Sequence, residues 1–276
     1  MRRVALPDGT QVPALGQGTW RMGEDASRRR AETEALRTGV ELGMTMVDTA
    51  EMYGDGETER FLGEALDGLR EQVFLVSKAY PQNAGRGRLE QACEESLRRL
   101  RTDRLDLYLL HWRGSVPLAE TVDGMEALRA AGKIAAWGVS NLDAADMDEL
   151  FRAGGEGCAT DQVLYNLTRR GPEFDLLPAL KVRGVPLTAY SPVEQGRLTR
   201  NGALALVAER HEATPAQVAL AWVLRRPDVI AIPKAADLAH VRENRRAADL
   251  ALTPEDLAKI DAAFPRPARK TPLEML

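Results

Sequence analysis

Four residues that can exchange or bind protons lie at or just after the ends of three successive apolar segments of the sequence: Asp48, Tyr53, Lys78 and His111. An ammonium close to a phenol favours the phenolate and lowers the phenol pKa, and a carboxylate beside that ammonium keeps it charged. A neutral imidazole can donate a hydrogen bond to a carbonyl oxygen. Together the four groups predict a general acid with an oxyanion-binding partner, which suits the addition of hydride to a carbonyl carbon. None of them is a hydride source, so a cofactor must supply the hydride.

Taken singly, each of these residues has an ordinary structural explanation. A lysine after a strand is usually a solvated rim residue, and a histidine there usually serves packing. The chain has only three histidines, however, and His111 directly follows an apolar segment. The combination of four such groups at three successive segment ends is what predicts a functional site.

The elements that must position these residues are eight short apolar segments separated by helical stretches. Parallel strands that are covered on both faces have continuous apolar sequences of this kind. In the stretch after the third segment, one helical face carries Leu89, Ala92, Cys93, Ser96, Leu97 and Leu100. The eight segments are Leu15–Gly18, Met44–Asp48, Val73–Lys78, Leu105–Leu110, Ala135–Ser140, Ala159–Val163, Val185–Tyr190 and Val229–Ile232.

Eight such repeats in 276 residues predict a closed (β/α)8 TIM barrel, an α/β fold that takes about 250 residues and carries its chemistry at the carboxyl ends of the strands. An open doubly wound sheet is the alternative, but the glycines of Gly16–Gly18 end before any helix starts, which makes a dinucleotide-binding glycine turn a poor match. The segment 4–12, with Pro7-Asp8-Gly9 at its centre, predicts an N-terminal β-hairpin. We expect one domain spanning 1–276, with a short C-terminal tail.

The composition restricts the partners. A net charge of −4 leaves no basic excess for nucleic acid. No apolar run approaches the roughly 18 residues of a membrane span, and the N-terminus lacks the apolar region of a signal peptide. Nothing in their spacing pairs Cys93 with Cys158. We expect a cytoplasmic protein that contacts neither nucleic acid nor membrane.

Over essentially its full length, the sequence resembles the aldo-keto reductases. The resemblance is closest to the bacterial branch that reduces methylglyoxal and related aldehydes, and it rests on the order and spacing of several motifs. These motifs are Gly18-Thr19-Trp20, Asp48-Thr49-Ala50-Glu51-Met52-Tyr53-Gly54, Ser77-Lys78, Leu105–Trp112, Gly138-Val139-Ser140-Asn141, Gln162, Tyr190-Ser191-Pro192 and Ile232-Pro233-Lys234.

The resemblance implies a catalytic tetrad made of the four residues above, with Tyr53 as the proton donor. It implies NADPH bound in an extended form, its nicotinamide stacked on Tyr190 and its carboxamide held by Ser140, Asn141 and Gln162. The further cofactor-binding residues that it implies are Gly18, Thr19, Trp20, Asp48, Ser191, Pro192, Gly196, Arg197, Leu198, Ile232, Pro233, Lys234, Ala235, His240, Glu243 and Asn244.

At the adenine end the sequence departs from the family pattern. Lys234 can bind the 2′-phosphate as a point charge. The next position is usually Ser or Thr and is here Ala235, and a position that is often Arg is here His240. We therefore expect NADPH as the cofactor, with weaker discrimination against NADH than in relatives that carry the arginine.

The substrate pocket is expected to be small and aromatic. Its predicted lining is Trp20, Met52, Tyr80, His111 and Trp112. Such a lining favours small apolar or α-dicarbonyl substrates. We expect a monomer that uses no metal and acts on a small-molecule carbonyl compound.

Two other functions are compatible with a barrel of this kind. One is a non-catalytic protein that senses redox state through bound nucleotide, against which the intact tetrad argues. The other is a Schiff-base aldolase that uses Lys78, which requires a neutral amine, whereas Asp48 nearby would favour the charged form. Oxidation of NADPH on addition of methylglyoxal separates the reductase from both.

Overall fold

In the computed structural model, which describes residues 1–198 and 201–276, eight parallel strands form the barrel. Each strand pairs with its neighbour in the chain, so the spatial order follows the sequence order. Backbone hydrogen bonds between Gly16 and Ala231 and between Gly18 and Pro233, of 2.8 and 3.1 Å, join the first strand to the last and close the barrel. The strands are β3 (Gln17–Gly18), β4 (Met46–Asp48), β5 (Phe74–Ala79), β6 (Leu105–Leu110), β7 (Ile134–Ser140), β8 (Cys158–Leu164), β9 (Leu187–Tyr190) and β10 (Val229–Ala231). The predicted TIM barrel is confirmed.

An N-terminal hairpin plugs the amino end of the barrel. It consists of the antiparallel strands β1 (Arg3–Ala5) and β2 (Gln11–Pro13), as the sequence predicts. Its side chains Val4, Leu6 and Val12 join an interior cluster with residues that point inward from the barrel strands. Since this cluster fills the amino end, the open mouth lies at the carboxyl end, where barrel enzymes carry their chemistry.

Helices cover the outside of the barrel. The predicted face of the third helix is confirmed: the same six residues, from Leu89 to Leu100, are the buried ones. Over the described part of the chain the helices are α1 (Arg29–Glu41), α2 (Glu57–Ala65), α3 (Arg88–Leu100), α4 (Leu118–Ala130), α5 (Ala144–Arg152), α6 (Leu176–Val182), α7 (Gly202–Arg210), α8 (Pro215–Leu224), α9 (Leu238–Ala247) and α10 (Pro254–Ala263). Helices α7 and α10 contact each other and add to the eight of a simple barrel.

Both cysteines are buried and free. Burial raises the pKa of the Cys93 thiol to about 12, so this thiol is a packing group rather than a nucleophile. Among residues 1–198 and 201–276, no helix is long and apolar enough to cross a membrane.

Candidate active site

A buried ion pair between Asp48 and Lys78 lies at the barrel mouth. The two residues come from adjacent strands, β4 and β5, and the Lys78 Nζ lies 2.8 Å from the Asp48 Oδ2. The ammonium also donates to the Thr49 carbonyl at 2.7 Å. Burial favours the neutral amine, but Asp48 and then Tyr53 outweigh it, and the Lys78 pKa is raised. A lysine held in its charged form argues against a Schiff-base nucleophile, which must be neutral.

The Tyr53 hydroxyl lies beside this ion pair. Tyr53 begins the short turn Tyr53–Gly56 that follows β4, and its Oη lies 3.3 Å from the Lys78 Nζ. Burial raises the pKa of the phenol, and Lys78 opposes this effect without cancelling it. The expectation that Lys78 gives Tyr53 a lowered pKa is therefore wrong in its net direction, because the buried surroundings disfavour the phenolate more than one ammonium favours it. The phenol is consequently protonated and able to donate.

His111, at the end of β6, completes the group. Its ring centroid lies 6.0 Å from that of Tyr53, with the ring planes at 72°. Burial, and after it the charge of Lys78, lowers the pKa of His111 to about 2. The imidazole is therefore neutral and carries one N–H that can donate to a substrate oxygen. Within the described residues, its buried Nδ1 has no hydrogen-bond partner, which marks it as a polar atom left for another molecule.

The residues predicted to bind the nicotinamide carboxamide form hydrogen bonds with the tetrad residues Asp48 and His111 and with one another. The Gln162 side chain, on β8, donates to the Asp48 Oδ1 at 2.7 Å. The Ser140 hydroxyl donates to the Gln162 carbonyl at 2.7 Å, and the Asn141 amide donates to the His111 carbonyl at 3.1 Å. Asn141 has a φ of 58°, in the left-handed region that costs most residues energy. These hydrogen bonds fix the positions of the three predicted carboxamide-binding side chains.

Tyr190 is the last residue of β9 and contacts this group of side chains. Its hydroxyl donates to the Asn141 Oδ1 at 3.0 Å, and the residue is half-buried. Burial raises the pKa of the hydroxyl above its ordinary value, so it stays a neutral donor. A half-buried aromatic ring beside amide groups that are already fixed fits a planar amide-bearing ring such as nicotinamide.

The loop after β9 carries the next predicted residues. Pro192 and Leu198 are buried, whereas Gly196 and Arg197 are exposed. Gly196 has a φ of 83°, which glycine adopts readily. The residue that anchors this loop is the buried Glu194, which the sequence analysis missed. Glu194 could have been noticed in the sequence, because it is a carboxylate that lies between two sets of predicted cofactor-binding residues, Ser191-Pro192 and Gly196.

The segment after β10 passes close to the first strand of the barrel. Ile232 and Pro233 are buried, and a Cβ atom on Gly18 would lie only 2.7 Å from the Ile232 carbonyl oxygen. Only a glycine fits this approach. Thr19 is buried as well, and its hydroxyl donates to the Asp48 carbonyl at 2.8 Å.

Lys234 lies on the exposed rim just beyond this segment. In the part of the chain that the structure describes, no carboxylate lies within ion-pair distance of its ammonium. Partial burial lowers the Lys234 pKa, and among its neighbours Arg28 and Arg21 lower it and Glu32 opposes them. Arg28 is itself paired with Glu32 at 3.9 Å, whereas Lys234 has no such pair within the described residues, so its ammonium is the cation that suits an anionic group such as a phosphate.

The two departures from the family pattern lie on the same rim. Ala235 is half-buried and offers no hydroxyl, and the exposed His240 is paired through its Nδ1 with Asp237 at 2.7 Å. Glu243 and Asn244 are half-buried on α9. The backbone carbonyl of Glu243 accepts a hydrogen bond at 3.0 Å from a glutamine side chain of α8.

The predicted substrate residues form a row of rings beside His111. The Trp112 centroid lies 4.8 Å from that of His111 and 5.8 Å from that of Tyr80. The backbone N–H of Tyr80 donates to the Glu51 Oε1 at 2.6 Å, so a buried carboxylate of the Tyr53 loop fixes this wall. Glu51 is a second residue that the sequence analysis passed over as a site residue.

Met52 and Trp20 complete the predicted pocket residues. Met52 is half-buried next to Tyr53 in the chain. Trp20 is 42% exposed, and its ring is covered by the Arg21 guanidinium 4.5 Å from the centroid. Trp20 therefore lies at the rim, where the part of its ring that Arg21 does not cover can contact a ligand that enters the mouth.

The chain is similar to several reductases. It is 56% identical to methylglyoxal reductase YeaE of Escherichia coli, covering 100% of this chain and 99% of the relative. It is 34% identical to glyoxal reductase of Bacillus subtilis, covering 94% and 91% of the two chains. A solved aldo/keto reductase from Klebsiella pneumoniae in complex with NADP and acetate superposes with a TM-score of 0.97, at 51% identity and covering 100% and 99% of the chains.

A second structure of a Klebsiella pneumoniae aldo-keto reductase, in complex with NADPH, gives the same TM-score of 0.97 at 52% identity, with 100% and 99% coverage. The model of the aldo/keto reductase family matches residues 14–264, which include every strand of the barrel. On this match, and with the four predicted tetrad residues gathered at the barrel mouth, the chain belongs to the aldo/keto reductase family.

Proposed function

We propose that this protein is an NADPH-dependent reductase that converts small aldehydes and ketones, such as methylglyoxal, to alcohols, with Tyr53 as the general acid. The observation that carries the proposal is the contact of 3.3 Å between the Tyr53 Oη and the Lys78 Nζ, since Lys78 is itself fixed by Asp48. A protonated phenol next to a permanent ammonium can release its proton when negative charge develops on a bound oxygen.

The residues of the mouth divide the work as follows. The N–H of neutral His111 and the O–H of Tyr53 both donate to the carbonyl oxygen and orient it. When bound, the reduced nicotinamide supplies the hydride that adds to the carbonyl carbon. Tyr53 transfers its proton to the oxygen as the alcohol forms, and Lys78 stabilises the phenolate that remains until solvent reprotonates it. In the reverse direction the Tyr53 phenolate would accept the proton of an alcohol while oxidised nicotinamide, when bound, takes the hydride from the CH–OH carbon.

The residues that we propose to hold the cofactor are those that the family resemblance implies, and their arrangement at the barrel mouth supports the assignment. The Tyr190 ring would stack on the nicotinamide, and Ser140, Asn141 and Gln162 would bind its carboxamide. At the other end Lys234 would bind the 2′-phosphate. The NADP and NADPH complexes of the Klebsiella proteins support this choice of cofactor.

The choice of substrate rests on the relatives and on the pocket. The two relatives that are named as reductases of methylglyoxal and glyoxal support small aldehydes. The wall formed by Tyr80 and Trp112 beside His111 supports a compact aromatic pocket. We further propose that residues 1–276 form one barrel domain that acts as a monomer.

A panel of carbonyl compounds tests the proposal. Purified protein is mixed with methylglyoxal, glyoxal and larger ketones, and the absorbance of NADPH is followed beside that of NADH. We expect NADPH oxidation with the small aldehydes and slower oxidation of NADH. If no member of the panel oxidises NADPH although NADPH binds, the protein is a nucleotide-binding protein rather than a reductase.

A further inference from the structure

Glu194 is a buried carboxylate in the loop 191–198, which we call the cofactor loop. Its side chain is only 6% exposed. The Asn166 side chain donates to the Glu194 Oε2 at 2.6 Å, and the Arg169 Nη2 lies 3.2 Å from the Glu194 Oε1. Both carboxylate oxygens are thus bound by the segment that follows β8. A buried charge of this kind depends on its partners, because without them it would be both desolvated and unpaired.

Arg169 also contacts the C-terminal tail, residues 265–276. Its Nη1 pairs with the Glu274 Oε1 at the same time as its Nη2 pairs with Glu194. Lys270 lies 3.1 Å from Asp175 and holds an earlier part of the tail. One guanidinium therefore joins the cofactor loop to the tail.

The tail continues from Glu274 to the predicted nicotinamide site. Burial raises the pKa of the Tyr190 hydroxyl, and a hydrogen-bonding interaction with the backbone of Leu276 partly offsets this rise. Tyr190 is followed directly by the cofactor loop, whose first residue, Ser191, accepts a hydrogen bond on its backbone carbonyl from the Asn166 side chain at 2.9 Å. The loop and the tail thus border the same site from two sides.

The cofactor loop has a backbone that requires external support. Ser191, Glu194 and Gln195 have φ values of 47°, 49° and 53°, in the left-handed region that is unfavourable for residues other than glycine. Such conformations persist only where the surroundings hold them. The contacts of Glu194 with Asn166 and Arg169 supply that support, so loss of the guanidinium should let the loop open.

We propose that Arg169 is a positioning residue that couples the C-terminal tail to the cofactor loop and slows release of the dinucleotide. The inference rests on the proposed function, because it takes the loop to cover NADPH. Within the described residues the side chain of Arg169 contacts Glu194 and Glu274 and none of the four tetrad residues, so we expect it to act on cofactor release and not on the chemical step. Dissociation must break both of its ion pairs or carry the tail along with the loop.

The test compares Arg169→Met and Glu274→Gln with the control Arg183→Met. Arg183 is a partly exposed arginine whose ion pair with Asp148, at 2.6 Å, lies outside both segments. NADPH dissociation is followed by stopped-flow fluorescence on displacement with excess NADP+. We expect the rate to rise at least fivefold in Arg169→Met and at least twofold in Glu274→Gln, and to stay unchanged in the control. In the Arg169→Met background, Glu274→Gln should add nothing, since the two substitutions remove the same link.

Two further measurements separate positioning from general damage. In a single turnover, the rate of hydride transfer should be the same in all variants. Without cofactor, trypsin should cleave after the exposed Arg197 faster in Arg169→Met than in the control. This second result requires no cofactor and no activity.

The inference is overturned by any of three results. Dissociation within twofold of the unsubstituted protein in Arg169→Met would remove the arginine from the loop's support. Faster dissociation in Arg169→Met without any change in Glu274→Gln would remove the tail from the link. If the rate of hydride transfer in a single turnover fell in Arg169→Met by as large a factor as the dissociation rate rose, Arg169 would be a general structural residue. Absence of NADPH binding by the unsubstituted protein would instead overturn the proposed function, and this inference with it.

Discussion

Gln162 donates to the one oxygen of Asp48 that Lys78 does not occupy, at 2.7 Å. The carboxylate therefore holds two different groups: the ammonium beside the proton donor, and the amide predicted to bind the nicotinamide. Because both bonds end on one buried side chain, the position of the cofactor ring and the position of the acid are mechanically linked.

Replacing Gln162 tests this link. Gln162→Met keeps the size of the side chain but removes the donor to Asp48 and to the cofactor. A hydrogen bond to a charged group contributes about 1.5–3 kcal/mol, so we expect the NADPH dissociation constant to rise and the turnover number to fall, each by about tenfold or more. Gln91→Met, on the exposed face of α3, is the control. An effect on NADPH binding alone would show that the bond to Asp48 does not help to place Lys78.

Variants of the ion pair between Lys78 and Asp48 can distinguish its contribution to stability from its contribution to catalysis. Lys78→Met leaves a buried unpaired carboxylate, which we expect to lower the free energy of unfolding by about 3–5 kcal/mol. Lys78→Met combined with Asp48→Asn should recover most of that loss but none of the turnover, because the phenolate of Tyr53 would still lack its cation. Urea unfolding and steady-state kinetics measure the two quantities. Recovery of turnover in the double variant would exclude Lys78 from the chemistry.

His111 should make the protein less stable in acid. Its folded pKa of about 2 lies below the ordinary value of 6.5, so the unfolded chain binds a proton that the folded chain refuses. This contribution to stability is complete above pH 6.5 and falls by about 1.4 kcal/mol per pH unit below it. The free energy of unfolding of His111→Gln, followed from pH 8 to pH 4.5, should therefore fall less steeply than that of the unsubstituted protein. Parallel curves would mean that His111 binds its proton as readily in the folded protein as in the unfolded chain, so that its pKa is not lowered by folding.

Much of this architecture could be read from the sequence. The eight apolar segments match β3 to β10 to within a few residues at each end, since short apolar runs that alternate with amphipathic helices are typical of buried parallel strands. The tetrad could be predicted for the same reason: its members lie at the end of a strand or in the segment that follows one, and the ends of parallel strands meet at one rim.

What the sequence could not show depends on depth and on contacts between distant segments. The net direction of the Tyr53 pKa follows from how far the ring is buried, which no local pattern encodes. Two partners of Glu194, Arg169 and Asn166, lie 25 and 28 residues away in the chain, on another loop. Helices α7 and α10 look like barrel helices by their pattern, and only packing shows them to be additions.

The adenine end offers a gain of function. Ala235→Ser with His240→Arg restores a hydroxyl and a guanidinium fork beside Lys234, at the cost of the pair between His240 and Asp237. A charged hydrogen bond of about 1.5–3 kcal/mol predicts an NADPH dissociation constant that is lower by about tenfold or more, with that of NADH unchanged.

The matched loss is Lys234→Ala. We expect it to weaken NADPH binding by about tenfold or more and to leave NADH binding as it was, because only NADPH carries the 2′-phosphate. Titration of protein fluorescence with each cofactor gives both constants. An unchanged preference between the two cofactors in Lys234→Ala would show that this lysine reads no phosphate.

The most direct test of the account is the turnover of Tyr53→Phe with methylglyoxal and NADPH. The substitution removes one oxygen and leaves Lys78 bound to Asp48 and to the Thr49 carbonyl. We expect NADPH binding to be unchanged and the turnover number to fall by about 10²–10⁴-fold, the contribution of a positioned acid. Turnover at the level of the unsubstituted protein would contradict the assignment of Tyr53 as the proton donor.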